Sequence, residues 1–165
     1  MQRYLAWQRL DGDSGHAVGR QLLSALYHTH VGGDLPKILV QKGGKPYFAE
    51  GNWHFSISHS KNHAFCVLCS CPVGLDAEEL SRHVNPALAE NILSPGERQQ
   101  YDAATDKNRA LLTFWVMKEA AGKLSGRGIG FHPNDTDFML TDSRVQEIDG
   151  ALIAIFTQED EENAF

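Results

Sequence analysis

No apolar run in this chain approaches the roughly eighteen residues of a membrane span, and the opening Met1-Gln2-Arg3-Tyr4-Leu5-Ala6-Trp7 lacks the apolar core of a signal peptide. No membrane contact is expected, and the chain reads as cytoplasmic. A basic block is missing too: 15 Lys and Arg stand against 21 Asp and Glu, a formal net charge of −6. Nothing here can follow a phosphate backbone, so nucleic acid is not an expected partner. Cysteine is scarce and odd in number. Cys66, Cys69 and Cys71 crowd into one apolar stretch, and a zinc site started by Cys66-x-x-Cys69 would need two further soft ligands that no second pair supplies. Buried free thiols in a strand are expected, and an odd count fits a reducing compartment.

What is present suffices for a core: 42% of 165 residues are hydrophobic, enough for one domain or two small halves sharing an interior. Val18, Leu22, Leu23 and Leu26 make a helical stripe over residues 15–27. A short strand at 37–40 precedes Gly43-Gly44-Lys45-Pro46, where consecutive glycines before Lys-Pro predict a turn. Strands are expected at 53–58, 63–70 and 73–78. From about residue 84 to 126 the pattern is helical. Ser94-Pro95-Gly96-Glu97 has the form of a capping box opening a helix over 95–103. A second helix, 106–125, ends at Gly126 in a left-handed stop. Strands at 137–141, 144–148 and 151–157 follow, the last two joined by an Asp149-Gly150 hairpin turn, and the acidic tail 158–163 is expected to fray.

The chemistry concentrates in three places. In Phe114-Trp115-Val116-Met117-Lys118-Glu119-Ala120-Ala121-Gly122-Lys123, helical spacing puts Glu119 and Lys123 on one face. In Val73-Gly74-Leu75-Asp76-Ala77-Glu78, alternation puts Asp76 and Glu78 on one strand face. Should the fold lay that face against the helix, three carboxylates converge and need a cation to stay ionised together, which describes a magnesium site with a lysine beside it. Ser58-His59-Ser60 closes the apolar Phe55-Ser56-Ile57. The ordinary readings compete: an exposed Glu119–Lys123 pair is worth only about 0.3–0.5 kcal/mol, and Glu79 reads as solvated. His54, His59 and His63 have mixed strand parities, which makes a shared zinc ion improbable. Phe114 and Trp115 read as core, and Glu97 is explained by the helix cap.

These segments, with Gly44-Lys45-Pro46-Tyr47 and in this order, resemble the 4′-phosphopantetheinyl transferases of the larger, surfactin-synthetase-activating type. The resemblance runs from about residue 43 to 130 and more loosely to the final hairpin. It implies an α+β fold of two similar halves in a pseudo-two-fold arrangement, each a small antiparallel sheet on a long helix. The halves would be residues 1–72 and 73–165, the second carrying the metal-binding carboxylates, with coenzyme A in the cleft between them. It implies transfer of the phosphopantetheine arm of coenzyme A to a serine of an apo acyl or peptidyl carrier protein, with release of 3′,5′-ADP. Asp76, Glu78 and Glu119 would hold Mg2+, with Glu119 also the general base. Lys123 would neutralise the pyrophosphate or protonate the leaving group. Ser58 and His59 would bind phosphate groups, and the backbone of Gly44-Lys45-Pro46-Tyr47, with Lys45 and Pro46 at its centre, would lie against adenine. Relatives carry more basic residues before Gly43; here Arg20 is the best candidate for the 3′-phosphate. A docking surface for the carrier is expected near Lys118, Lys123 and Arg127, and two halves in one chain allow a monomer. The alternative is a non-catalytic coenzyme A or carrier-protein binding module with an eroded first half.

Overall fold

A computed structural model describes residues 1–126 and 135–162. Its elements are β1 (Arg3–Arg9), α1 (Gly15–His30), β2 (Ile38–Val40), β3 (Pro46–Phe48), β4 (His54–His59), β5 (His63–Cys69), β6 (Val73–Glu79), α2 (Leu88–Ile92), α3 (Pro95–Ala103), α4 (Lys107–Ser125), β7 (Val145–Ile148), β8 (Ala151–Thr157) and α5 (Gln158–Glu162). Two antiparallel three-stranded sheets, ordered β1-β5-β4 and β6-β8-β7, both place the last of their strands in the middle; β2 and β3 form a separate ribbon. None of the described helices is long and apolar enough to cross a membrane.

Strand alternation sorts side chains into layers. The odd residues Phe65, Val67 and Cys69 of β5 meet the odd residues of β6 and β8, among them Leu75 and Ile153, in a core between the sheets. Cys66 and Leu68 of β5 point the other way, to Leu23, Leu26 and Tyr27 of α1. Leu152, Ala154 and Phe156 of β8 pack with Leu112, Val116 and Ala120 of α4. This is an α+β fold with one long helix on the far side of each sheet.

Helix ends follow local chemistry. Ser94 and Glu97 form the reciprocal capping box, Asp106 caps α4 by accepting from the Arg109 amide, and Gly126 ends α4 at φ 70°. Asp149 and Gly150, with φ of 51° and 80°, make the expected hairpin turn. Other expectations fail for identifiable reasons. Residues 137–141 form no strand, because the side chains of α3 take their backbone groups: the Phe138 amide donates to Glu97, the Leu140 amide to Gln100, and Gln100 Nε2 donates to the Phe138 carbonyl. Tail residues 158–162 form a helix rather than fraying, held by the Thr157 amide and hydroxyl on Asp160 at 2.8 and 2.7 Å. The edge strand β1 and the short β3 are additions to the sequence reading.

Glu79 is buried rather than solvated. Its Oε1 accepts from the Asn62 amide (3.0 Å), the Ser60 hydroxyl and His63 Nδ1 (2.9 Å), while His63 Nε2 meets Asp149 Oδ2 at 2.9 Å and Arg9 grips the same carboxylate. β1, β5, β6 and the β7–β8 turn are thus tied at one end. Burial opposes charge on His63, but Asp149 and Glu79 outweigh it and raise its pKa above the ordinary histidine value. Arg9 and then His63 hold Asp149 well below the usual carboxylate range.

Two predictions follow from this packing. A raised histidine pKa contributes stability that is full below the unfolded value of about 6.5 and fades as pH climbs through the folded one. The urea-unfolding gap between wild type and His63→Gln should therefore be larger at pH 6 than at pH 8; an equal gap would mean the ring is not charged. Separately, a Cβ on Gly74 would lie 2.1 Å from the Ala120 carbonyl and 2.4 Å from the Leu124 amide. Both are helix backbone and cannot yield locally, so Gly74→Ala should cost about 1–3 kcal/mol or more in thermal melts.

Candidate active site

The even residues of β6, Gly74, Asp76 and Glu78, are the ones that face α4. The missing side chain at Gly74 lets the helix come close enough for Lys123 to reach Asp76, Nζ to Oδ1 at 2.8 Å. Lys123 also donates to Ser58 Oγ at 3.1 Å. Ser58 is buried and fully used: it donates to Asp76 Oδ1 at 3.1 Å and accepts from the Ala77 amide at 3.2 Å as well as from Lys123. Two residues back, Ser56 Oγ accepts from the Leu75 amide at 3.0 Å. The facing edges of β4 and β6 are therefore joined by serine hydroxyls where a continuous sheet would use backbone carbonyls.

A cleft of about 310 Å³ opens between the β2–β3 turn, β4 and α4, with Lys45, Pro46, Ser56, Trp115, Glu119 and Lys123 in its walls. A neighbouring hollow of about 250 Å³ shares Lys45, Pro46, Phe55 and Gly126 with it and adds Tyr47, Phe48 and Trp53. The turn reaches the end of α4 because Gly43 has no Cβ, which would sit 2.6 Å from the Gly126 carbonyl. Lys45 fastens this contact, its ammonium donating to the carbonyls of Leu124 (3.1 Å) and Val73 (3.3 Å), and burial lowers its pKa.

Glu119 is half-buried in the cleft wall. Burial first, then the charges of Asp76 and Glu78, raise its pKa, with Lys123 opposing. Glu78 is also raised, by burial and by Asp76, although Arg82 binds its Oε1 and Trp115 Nε1 donates to it at 3.3 Å. Trp115 thus has a polar duty beyond the core role expected of it, whereas Phe114 is wholly buried.

The carboxylates lie on the two elements that were expected to meet, but their oxygens are not gathered at one point. Among the described residues no three His, Cys, Asp or Glu side chains stand as a metal-holding group. Asp76 is turned to Lys123 and Ser58, Glu78 to Arg82 and Trp115. The donor set still fits a hard divalent cation: all its donors are oxygens, and two of the three acids are raised by burial and mutual repulsion, as a set short of positive charge should be.

The other expected residues are placed differently. His59 is exposed at the end of β4, against α1, where a Cβ on Gly15 would lie 2.6 Å from its ring. Arg20 is half-buried on α1, and neither residue lines the cleft. Lys118, expected near a docking surface, is 4% exposed and paired with Glu97 at 2.8 Å, so its ammonium is turned inward. Burial lowers its pKa even so. Glu97 consequently does more than cap a helix. Arg127 lies outside the described residues.

Residues 72–164 match the model of the 4′-phosphopantetheinyl transferase superfamily. The chain is 29% identical over 119 residues to 4′-phosphopantetheinyl transferase psf-1 of Bacillus pumilus, covering 69% of this chain and 51% of that protein. It is 33% identical over 93 residues to a 4′-phosphopantetheinyl transferase of Bacillus subtilis, covering 54% and 41%. It is 29% identical over 122 residues to 4′-phosphopantetheinyl transferase HetI of a Nostoc species, covering 68% and 52%. The chain therefore belongs to the 4′-phosphopantetheinyl transferase superfamily. It spans about half the length of the curated relatives it matches.

Removing the Ser58 hydroxyl strands the buried Ala77 amide and releases Lys123 from one of its two partners. Ser58→Ala should cost about 1–3 kcal/mol in urea unfolding, and Ser58→Thr, which keeps the hydroxyl, should recover much of the loss. Equal stability of Ser58→Ala and wild type would show that the β4–β6 seam does not depend on this bond.

Proposed function

We propose that this chain transfers the 4′-phosphopantetheine arm of coenzyme A to a serine of an apo acyl or peptidyl carrier protein, leaving 3′,5′-ADP, as a magnesium-dependent holo-carrier-protein synthase. The observation that carries the reading is Glu119 and Lys123 on one cleft wall, with Asp76 and Glu78 behind them on β6, in a chain of this family. The matching strand order of the two sheets supports treating residues 1–72 and 73–165 as two halves about a pseudo-two-fold axis.

Coenzyme A would lie along the cleft and its aromatic neighbour, with the Lys45-Pro46 backbone against adenine. Ser58 acts on phosphate only through Lys123, because its own hydroxyl is spent inside the seam. His59 and Arg20 stand apart, on the side of α1, where they would meet a phosphate that reaches past β4. Asp76, Glu78 and Glu119 would hold Mg2+, which when bound neutralises the charge of the pyrophosphate. Glu119 takes the proton from the carrier serine, directly or through a water. Lys123 places positive charge where the phosphate of the departing 3′,5′-ADP gathers negative charge. Asp76 holds Lys123 at that position.

Mass spectrometry of an apo carrier protein incubated with this chain, coenzyme A and Mg2+ tests the reading. One phosphopantetheine should be added, and EDTA should abolish the addition. Glu119→Gln and Asp76→Asn should lower the loading rate at least about a hundredfold while circular dichroism stays native. Full activity of either variant would remove that residue from the mechanism. Coenzyme A binding without loading of any carrier would replace the transferase with a binding module.

A further inference from the structure

The three cysteines are not equivalent. Cys66 points from β5 into the cluster under α1, whereas Cys69, three residues on, points from the opposite face into the core between the sheets. Cys71 lies outside the strand, contrary to the expectation of three thiols in one. It sits in the three-residue connection Ser70-Cys71-Pro72 that carries the chain from one sheet to the other. Its Sγ stands 3.4 Å from Cys69 Sγ. The connection is pinned on both sides: the Gln2 amide donates to Ser70 Oγ at 2.9 Å, the Ser70 amide to the Gln2 carbonyl at 2.9 Å, and the Gln158 amide to the Pro72 carbonyl at 3.0 Å. The backbone that carries Cys71 is therefore fixed relative to β5, where Cys69 sits. Cys69 is wholly buried and Cys71 partly accessible, while Cys66, also wholly buried, faces away from both.

We propose that Cys69 and Cys71 form a reversible dithiol–disulfide site, oxidised by a hydroperoxide, at the joint between the two sheets. The accessible thiol, Cys71, reacts first. As thiolate it attacks one peroxide oxygen, the O–O bond breaks, and a sulfenic acid forms while the other oxygen leaves and takes a proton to become water. Cys69 sulfur then attacks the sulfenic sulfur, the S–O bond breaks, and the S–S bond forms. The Cys69 proton departs with the hydroxyl as a second water. Two thiols are oxidised and one hydrogen peroxide is reduced. Burial pushes the Cys69 thiol up to about 11, which with its lack of access to solvent leaves the first step to Cys71. Closing the bond draws in about 1.3 Å of sulfur separation, since a disulfide spans roughly 2.05 Å. A bond closed over a single intervening residue is strained, so small thiols should reopen it. Cys66, pushed up to about 12 by burial, stays reduced throughout.

The site is two residues from Val73, whose carbonyl accepts from Lys45 at the floor of the cleft. Oxidation would thus pull on the clamp that seats the β2–β3 turn.

The test is thiol counting on the folded full chain after treatment with hydrogen peroxide, followed by alkylation in denaturant and peptide mass spectrometry. Reduced wild type should show three alkylated cysteines, and oxidised wild type only Cys66. The peptide holding Cys69 and Cys71 should have lost two hydrogens, and dithiothreitol should restore all three thiols. Cys66→Ser should oxidise as wild type does, whereas Cys71→Ser should form no internal disulfide. Three free thiols after oxidation, a bridge to Cys66, or a bridge only between molecules would each overturn the proposal. None of these readouts uses coenzyme A or a carrier protein, so failure of the transferase reading leaves this test intact.

Discussion

The structure hangs on the seam between β4 and β6. Each is the edge strand of its own sheet, and an edge leaves a row of backbone groups wanting partners. Ser56 and Ser58 meet that need with side chains, accepting from the amides of Leu75 and Ala77. A hydroxyl can donate as well as accept, which a carbonyl cannot. Ser58 uses that extra capacity on Asp76, so one short side chain both closes the seam and orients a buried acid. Gly74 completes the arrangement by letting α4 approach β6 nearly backbone to backbone, bringing Lys123 within reach of the same acid.

β6 carries charge in two directions, and the two sets serve different ends. Asp76 and Glu78 face α4, where burial and repulsion leave Glu78 and Glu119 raised in pKa and short of positive charge. Acids perturbed in this way mark a candidate functional site. Glu79, one residue further, is saturated by Ser60, Asn62 and His63, and through His63 it joins the tie among β1, β5, β6 and the β7–β8 turn. The buried Lys118–Glu97 pair is likewise structural, since Glu97 also receives the amides of Ser94 and Phe138. Losing one member of such a pair would leave an uncompensated buried charge, at a cost of about 3–5 kcal/mol.

Much of the frame was readable in advance. Capping chemistry at Ser94 and Asp106, the left-handed stop at Gly126 and the hairpin at Asp149-Gly150 are local effects, and local residues suffice to announce them. The shared strand face of Asp76 and Glu78 follows from the period of a strand, and the order of four short motifs was enough to suggest the family. Where non-local partners decided, local reasoning failed. Residues 137–141 have strand-like composition, but the side chains of Glu97 and Gln100 claim their backbone groups first. Glu79 looked solvated because its partners, His63 and Asn62, come from another strand and another turn. Lys118 looked like a docking residue because nothing in its own helix shows that Glu97 lies opposite.

By itself, the sequence determined the alternation of β5, β6 and β8, the extents of α3 and α4, and the identity of the acids and the lysine that a phosphoryl-transfer site would use. Only the tertiary structure decided which partner each of them meets. Lys123 turns to Asp76, Lys45 to two carbonyls, and Cys71 to Cys69. Periodicity is a property of one element and is written in its spacing, whereas a pairing depends on how two elements approach, and that distance was set at Gly74 and Gly43 by side chains that are absent.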